Sequence, residues 1–243
     1  MVLTDDSDIC SQLETIAGVR VTQEWLTACR AHLRETCQPE SADSILHQVL
    51  HSDLRDVVYR EQDDGILRHA LSQDYAVLPE SFRRMVQVEE LLDVSLNAEA
   101  RLSIGPASPT APTPVGDQRM RCLKLYLSDG YHVRDIHLVG MELSPISDLS
   151  VHSQAGLKLI LRGPLKCRLG VILCSPSNTT VLGGCVASLM EMQKKALEQA
   201  QRLAGVGVDP TVKALIWNPI GTDEEGGMTK KDYNVHVYMY EVT

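Results

Sequence analysis

Aromatic side chains are scarce in this sequence: its 243 residues include one Phe, two Trp and seven Tyr. A barrel that stacks exposed bases relies on an aromatic platform, so the shortage argues against a dedicated binder of single-stranded nucleic acid. Positive charge is short as well. The formal net charge is −9, whereas tight phosphate binding demands a clear basic excess. The imbalance is uneven. Residues 1–80 carry 6 Lys+Arg against 15 Asp+Glu, residues 81–184 carry 11 against 9, and residues 185–243 carry 6 against 8. The seven Cys form no CxxC pair, and an odd number fits reduced, mostly buried thiols better than a disulfide framework. No run is long enough to span a bilayer, and the opening "MVLTDDSDIC" has neither a basic n-region nor an apolar h-region. An intracellular protein without a membrane partner is expected.

The signatures of catalysis are missing too. Gly183-Gly184 is followed by neither Lys-Ser nor Lys-Thr, and "GVGVDP" (205–210) lacks the third glycine of a dinucleotide fingerprint. No GxSxG elbow occurs. His47 and His51 stand four apart near Asp53, but no third ligand is apparent, so they read as solvent-facing residues rather than a metal site. Neither an enzyme nor a cofactor is expected.

What is present has two periods. "DDSDICSQLETIAG" (5–18), "TQEWLTACRAHLRETC" (22–37) and "SADSILHQVLHSDLRDV" (41–57) place apolar residues at helical spacing. Their stripes are Ile9, Leu13 and Ile16; Trp25, Leu26, Cys29 and Leu33; then Ile45, Leu46, Val49, Leu50 and Leu54. Trp25, Leu26 and Leu54 are the expected core of a small three-helix bundle. From Phe82 the period becomes two. Strands are expected at 84–94, 120–130, 131–143, 156–163, 167–175 and 179–183, with Asp129-Gly130 as a hairpin turn.

Leu123, Leu125 and Leu127 face one side of such a strand, and Lys124 and Tyr126 the other. The fold class expected is α+β. A bundle over 1–72 packs on a five-stranded oligonucleotide-binding-type barrel over 73–205, closed by a helix at 185–205. Gly183-Gly184 then ends the last strand and lets the helix start close to the barrel.

A Pro-, Ala-, Ser- and Gly-rich stretch, 96–118, separates the first two strands, and a connection this long in a small barrel is usually functional or disordered. Its apolar anchors are Leu96, Leu102, Ile104 and Pro106. Residues 206–243 form a tail holding an alternating segment, "YNVHVYMYEV" (233–242). Arg83, Arg84, Arg119, Arg121, Lys124, Arg162, Lys166 and Arg168 lie on strands or their ends. Of these, Arg119, Arg121 and Lys124 could line a weak single-strand path, although outward-facing charge is the default. Asp53 and Arg55 read as residues that fix the bundle to the barrel.

In order along the chain, "VTQEWLTACRAHL", "LHSDLRDVV", "DDGIL", "VQVEELLDVS", "RMRCLKLYLSDG" and "RLGVILCSPSNTTVLGG" resemble the N-terminal region of the RecQ-mediated genome instability protein 1 family. The resemblance covers about residues 10–200, and the barrel half also looks like Tudor-domain protein 3. It implies a nuclear, noncatalytic subunit that binds a type IA topoisomerase of the III class and works with a RecQ helicase in dissolving double Holliday junctions. It further implies that the loop, here 96–118, enters the topoisomerase gate. The alternative from the residues alone is a single-stranded nucleic-acid-binding module.

Overall fold

A computed structural model of the chain describes residues 6–58, 65–97, 121–131 and 138–203. Most of the expected loop, with Leu102, Ile104, Pro106 and Arg119, lies outside the described residues, as does the segment 204–243. Helices α1 (Asp6–Ala17), α2 (Gln23–Glu35), α3 (Ala42–Leu50), α4 (Leu54–Val57) and α5 (Ile66–Leu71) come first. Strands follow as β1 (Tyr75–Leu78), β2 (Arg83–Asp93), β3 (Leu123–Ser128), β4 (Leu138–Glu142), β5 (Lys158–Arg162), β6 (Leu165–Arg168), β7 (Val171–Cys174) and β8 (Thr179–Gly183). Helix α6 (Ala187–Leu203) completes the order. No helix among the described residues is long and apolar enough to cross a membrane.

Thr22 caps α2 by accepting from the Trp25 N–H, and Ser41 caps α3 through Ser44. The run 41–57 is not one helix. It breaks after Leu50 and restarts at Leu54, with the Asp53 carboxylate capping α4 at the Arg55 N–H. Leu26 and Leu54 are fully buried, whereas Trp25 only packs against the edge of the helical core and Ile16 is exposed. The buried face of α1 runs through Ile9, Leu13 and Ala17, which leaves Ile16 beside it in solvent.

The sheet also departs from expectation. Its eight strands run in the order β1-β6-β7-β4-β3-β2-β5-β8 and do not close as a five-stranded barrel. Two strands account for part of the difference. β1 is an added edge, and the run 167–175 is cut by Leu169 and Gly170, both at positive φ, into β6 and β7. β4 and β7 are parallel; the other pairings are antiparallel. Among the described residues β3 and β4 pair from Lys124 with Met141 to Leu127 with Leu138, a register in which Asp129-Gly130 is not the central pair of a two-residue hairpin. One apolar core nonetheless draws on β1 through β7, from Leu78 and Val86 to Leu159 and Cys174.

The helical core is separate but touches the sheet through Met85 of β2 and Ile160 of β5. β2 is therefore covered on both faces over its first half, which is why Arg84 to Glu89 are all buried while Glu90 and Leu92 are only half-buried.

Candidate protein-docking face

Two clusters of polar residues shape this molecule, one at the mouth of the long loop and one between helices and sheet. At the mouth, Asp93 ends β2 and Cys122 precedes β3. Asp93 Oδ1 accepts from the Ser95 hydroxyl (2.6 Å), the Ser95 N–H (3.0 Å) and the Cys122 N–H (3.2 Å). The Val94 N–H donates to the Cys122 carbonyl at 2.8 Å. One carboxylate thus fastens the exit of the loop to its re-entry. Burial opposes its ionisation, but these donors and the Arg121 charge outweigh that and hold it below the usual carboxylate range.

Arg121 braces the same mouth from below. Its guanidinium pairs with Glu142 (2.8 Å) and donates to the carbonyls of Ile146 (2.7 Å) and Leu149 (2.9 Å). With Glu142 buried and also accepting from the Ile146 N–H, this is an internal strut. Little of Arg121 is left for a phosphate. Lys124 lies over the Tyr126 ring at 4.7 Å. Leu96 is half-buried at the base of the loop, its N–H bonded to the Asp93 carbonyl.

The outer face of β2, β3, β4 and β7 runs away from this mouth. Alternation puts Leu92, Lys124, Met141 and Leu173 in one cross-strand row, and Glu90, Tyr126, Val139 and Val171 in the next. All eight are only half-buried. Val94 and Leu143, one strand position further on, are 40% and 61% exposed. A largely apolar face that also carries Lys124 and Glu90 has the composition of a protein contact. Sequence reasoning named the basic residues here and missed the apolar ones. The signal was the second set of the alternation, Leu92 and Met141, whose place beside Lys124 depends on cross-strand register.

The second cluster joins helices to sheet. Gln87 of β2 accepts from the Leu54 N–H (3.1 Å) and donates to Asp53 Oδ1 (3.2 Å). Arg55 bridges Asp53 (3.1 Å) and Glu89 of β2 (2.6 Å). Lys158 of β5, opposite Gln87, is fully buried and donates to the carbonyls of Gly156 (2.7 Å) and Leu50 (3.3 Å). Burial pulls its ammonium down to about 8, against the raising effect of Asp53. Burial also opposes ionisation of Asp53, but Arg55 and Gln87 prevail and keep that carboxyl low. Arg84, expected on an outward face, is buried with its guanidinium 4.7 Å from the Tyr131 ring centre.

Glycines set the closeness of this seam. A Cβ on Gly130 would meet the Leu54 carbonyl oxygen at 2.5 Å, and one on Gly184 the Leu50 oxygen at 2.2 Å. Gly183 has open space around it and a φ of +90°. The pair is therefore divided: Gly183 turns the backbone and Gly184 admits a helix end. His47 and His51 have ring centres 4.9 Å apart. Among the described residues, no group of three or more His, Cys, Asp or Glu side chains is arranged to hold a metal ion.

Two family models match this architecture. Residues 14–57 match the RMI1 N-terminal helical domain, and residues 68–197 the RMI1 N-terminal OB-fold domain. RecQ-mediated genome instability protein 1 of Xenopus laevis is 31% identical over 209 residues, which cover 77% of this chain and 35% of the relative. Its counterpart in Mus musculus is 32% identical over 224 residues, 83% of this chain and 34% of the relative. Tudor domain-containing protein 3 of Xenopus tropicalis is 35% identical over 71 residues, or 29% of this chain. The chain spans about a third of the length of the full-range relatives. With helical and OB-fold regions both matched in order, the chain belongs to the RecQ-mediated genome instability protein 1 family.

Proposed function

We propose that this chain is a noncatalytic subunit that docks a topoisomerase of the III class, in company with a RecQ helicase, and promotes decatenation and double Holliday junction dissolution in the nucleus. The observation that carries the docking is the half-bare apolar face of β2, β3, β4 and β7, which begins at the mouth of the 96–118 loop. The family supports the choice of partners, and the name of the relatives supports the helicase. On this reading the face gives affinity, while the loop, anchored through Leu96, Leu102, Ile104 and Pro106, enters the gate and acts on its opening. Asp93 fits such a role because it clamps both ends of the loop and keeps their direction fixed.

Replacing 98–117 with a short Gly-Ser link tests the division of labour. The variant is expected to keep its fold and most of its topoisomerase binding, and to lose stimulation of decatenation. Full stimulation by that variant would contradict the role given to the loop.

The runner-up, direct binding of single-stranded nucleic acid, loses ground at Arg121, whose donors are engaged internally. At most a weak, salt-sensitive contact through Lys124 and Arg119 is expected.

A further inference from the structure

At one end of the sheet β1 has, among the described residues, a strand on one side only, β6. Beside β1 lies an open groove of about 610 Å³ whose second wall is α5, with Ile66, His69 and Gln73 facing Tyr75 and Val77. The apolar walls are bare: Ile66, Tyr75 and Val77 are 44%, 57% and 48% exposed. A short edge strand with a helix across a groove is the geometry in which an extended peptide adds to a sheet. Its backbone would pair with the edge, and alternate side chains would fill the groove. The adjoining strand β6 is basic, while exposed Asp74 and Glu80 flank β1 itself. Lys166 and Arg168 of β6 are exposed and stand opposite Val77 and Tyr75 in register.

One segment of this chain has the matching chemistry. "YNVHVYMYEV" (233–242) alternates, with Val235, Val237 and Met239 on one side, and it lies outside the described residues. Around it, residues 221–243 hold five Asp+Glu against two Lys, opposite in sign to the β6 surface. Reach is no obstacle. Residues 204–232 separate it from the end of α6, and at roughly 3.3 Å per residue they could extend about 95 Å, beyond the roughly 30 Å of a small domain. We propose that the segment 233–242 lies along the free edge of β1 as an added strand, in the groove between β1 and α5. The strand would cover an edge otherwise open to other chains, and it is independent of the docking face.

The test uses the full chain. With a photo-crosslinking residue in place of Tyr75, the expected product has monomer mass and its adduct maps within 233–242. An adduct on a second copy, or elsewhere in the chain, would overturn the proposal. Amide hydrogen exchange then compares the intact chain with a Val235→Pro, Val237→Pro variant. Exchange at Tyr75–Leu78 is expected to speed up about tenfold or more, to remain unchanged in β3, and to slow again on adding excess synthetic peptide 230–243. Unaltered exchange at β1 would also overturn it.

Discussion

The seam between helices and sheet carries charges where burial is deepest, while the outer face beside the loop leaves apolar side chains in solvent. Arg55, Glu89, Gln87 and Lys158 are enclosed and hydrogen-bonded or ion-paired within the chain. Val94 and Leu143 are exposed, and the rows behind them are only half-buried. The contrast separates two jobs. Buried polar pairs fix the one orientation in which the bundle meets β2 and β5, since a displaced bundle would strand charges. Exposed apolar area gains nothing for the isolated fold and becomes favourable only when another surface covers it.

The largest effect should come from breaking the seam. Arg55→Ala leaves the Glu89 carboxylate buried without its cation, and a loss of about 3–5 kcal/mol is expected in denaturant unfolding. A loss under about 1 kcal/mol would mean that water reaches the pair and the seam is not dry. The paired glycines sharpen the same point. Gly184→Ala should cost roughly 2–4 kcal/mol, since its Cβ meets the Leu50 carbonyl as well as an unfavourable φ. Gly183→Ala, with only the φ to overcome, should cost about 1 kcal/mol. Equal losses would dissolve the distinction between a turning glycine and a packing one.

Lys158 gives an effect that depends on pH. Folding lowers its pKa from the ordinary 10.5 to about 8, so between these values the unfolded chain holds the proton more firmly. Stability from this group should therefore rise with pH across that window. Measured as wild type minus Lys158→Met, the gain is expected to be of the order of 2–3 kcal/mol from pH 8 to 10.5. A flat difference would place Lys158 in contact with water.

These contrasts mark what could be read in the sequence. The helical stripes of α1 to α3 were legible because 3.6-residue spacing is local. The closing helix, expected at 185–205 and observed at Ala187–Leu203, was legible for the same reason. Arg84 and Lys158 were not. In an alternating run a charged residue reads as outward, and only a helix packed on that second face makes it inward. The same bundle explains why β2 is buried on both sides from Arg84 to Glu89. Asp53, a good N-cap residue, lies inside a run that reads as one helix; it starts α4, and Gln87, 34 residues away, donates to its carboxylate. The split at Leu169 and the edge strand β1 were missed because a short apolar run does not announce its pairing partner. The docking face needed the register of four strands, which no single segment carries.

Affinity for topoisomerase III after charging the outer face tests the central claim most directly. Val94 and Leu143 are exposed, so Val94→Asp with Leu143→Asp should change stability by no more than about 0.5 kcal/mol per site. The account predicts at least about a tenfold loss of affinity in a titration of the full chain against the topoisomerase, with an unchanged unfolding curve. Full affinity in that variant would contradict it.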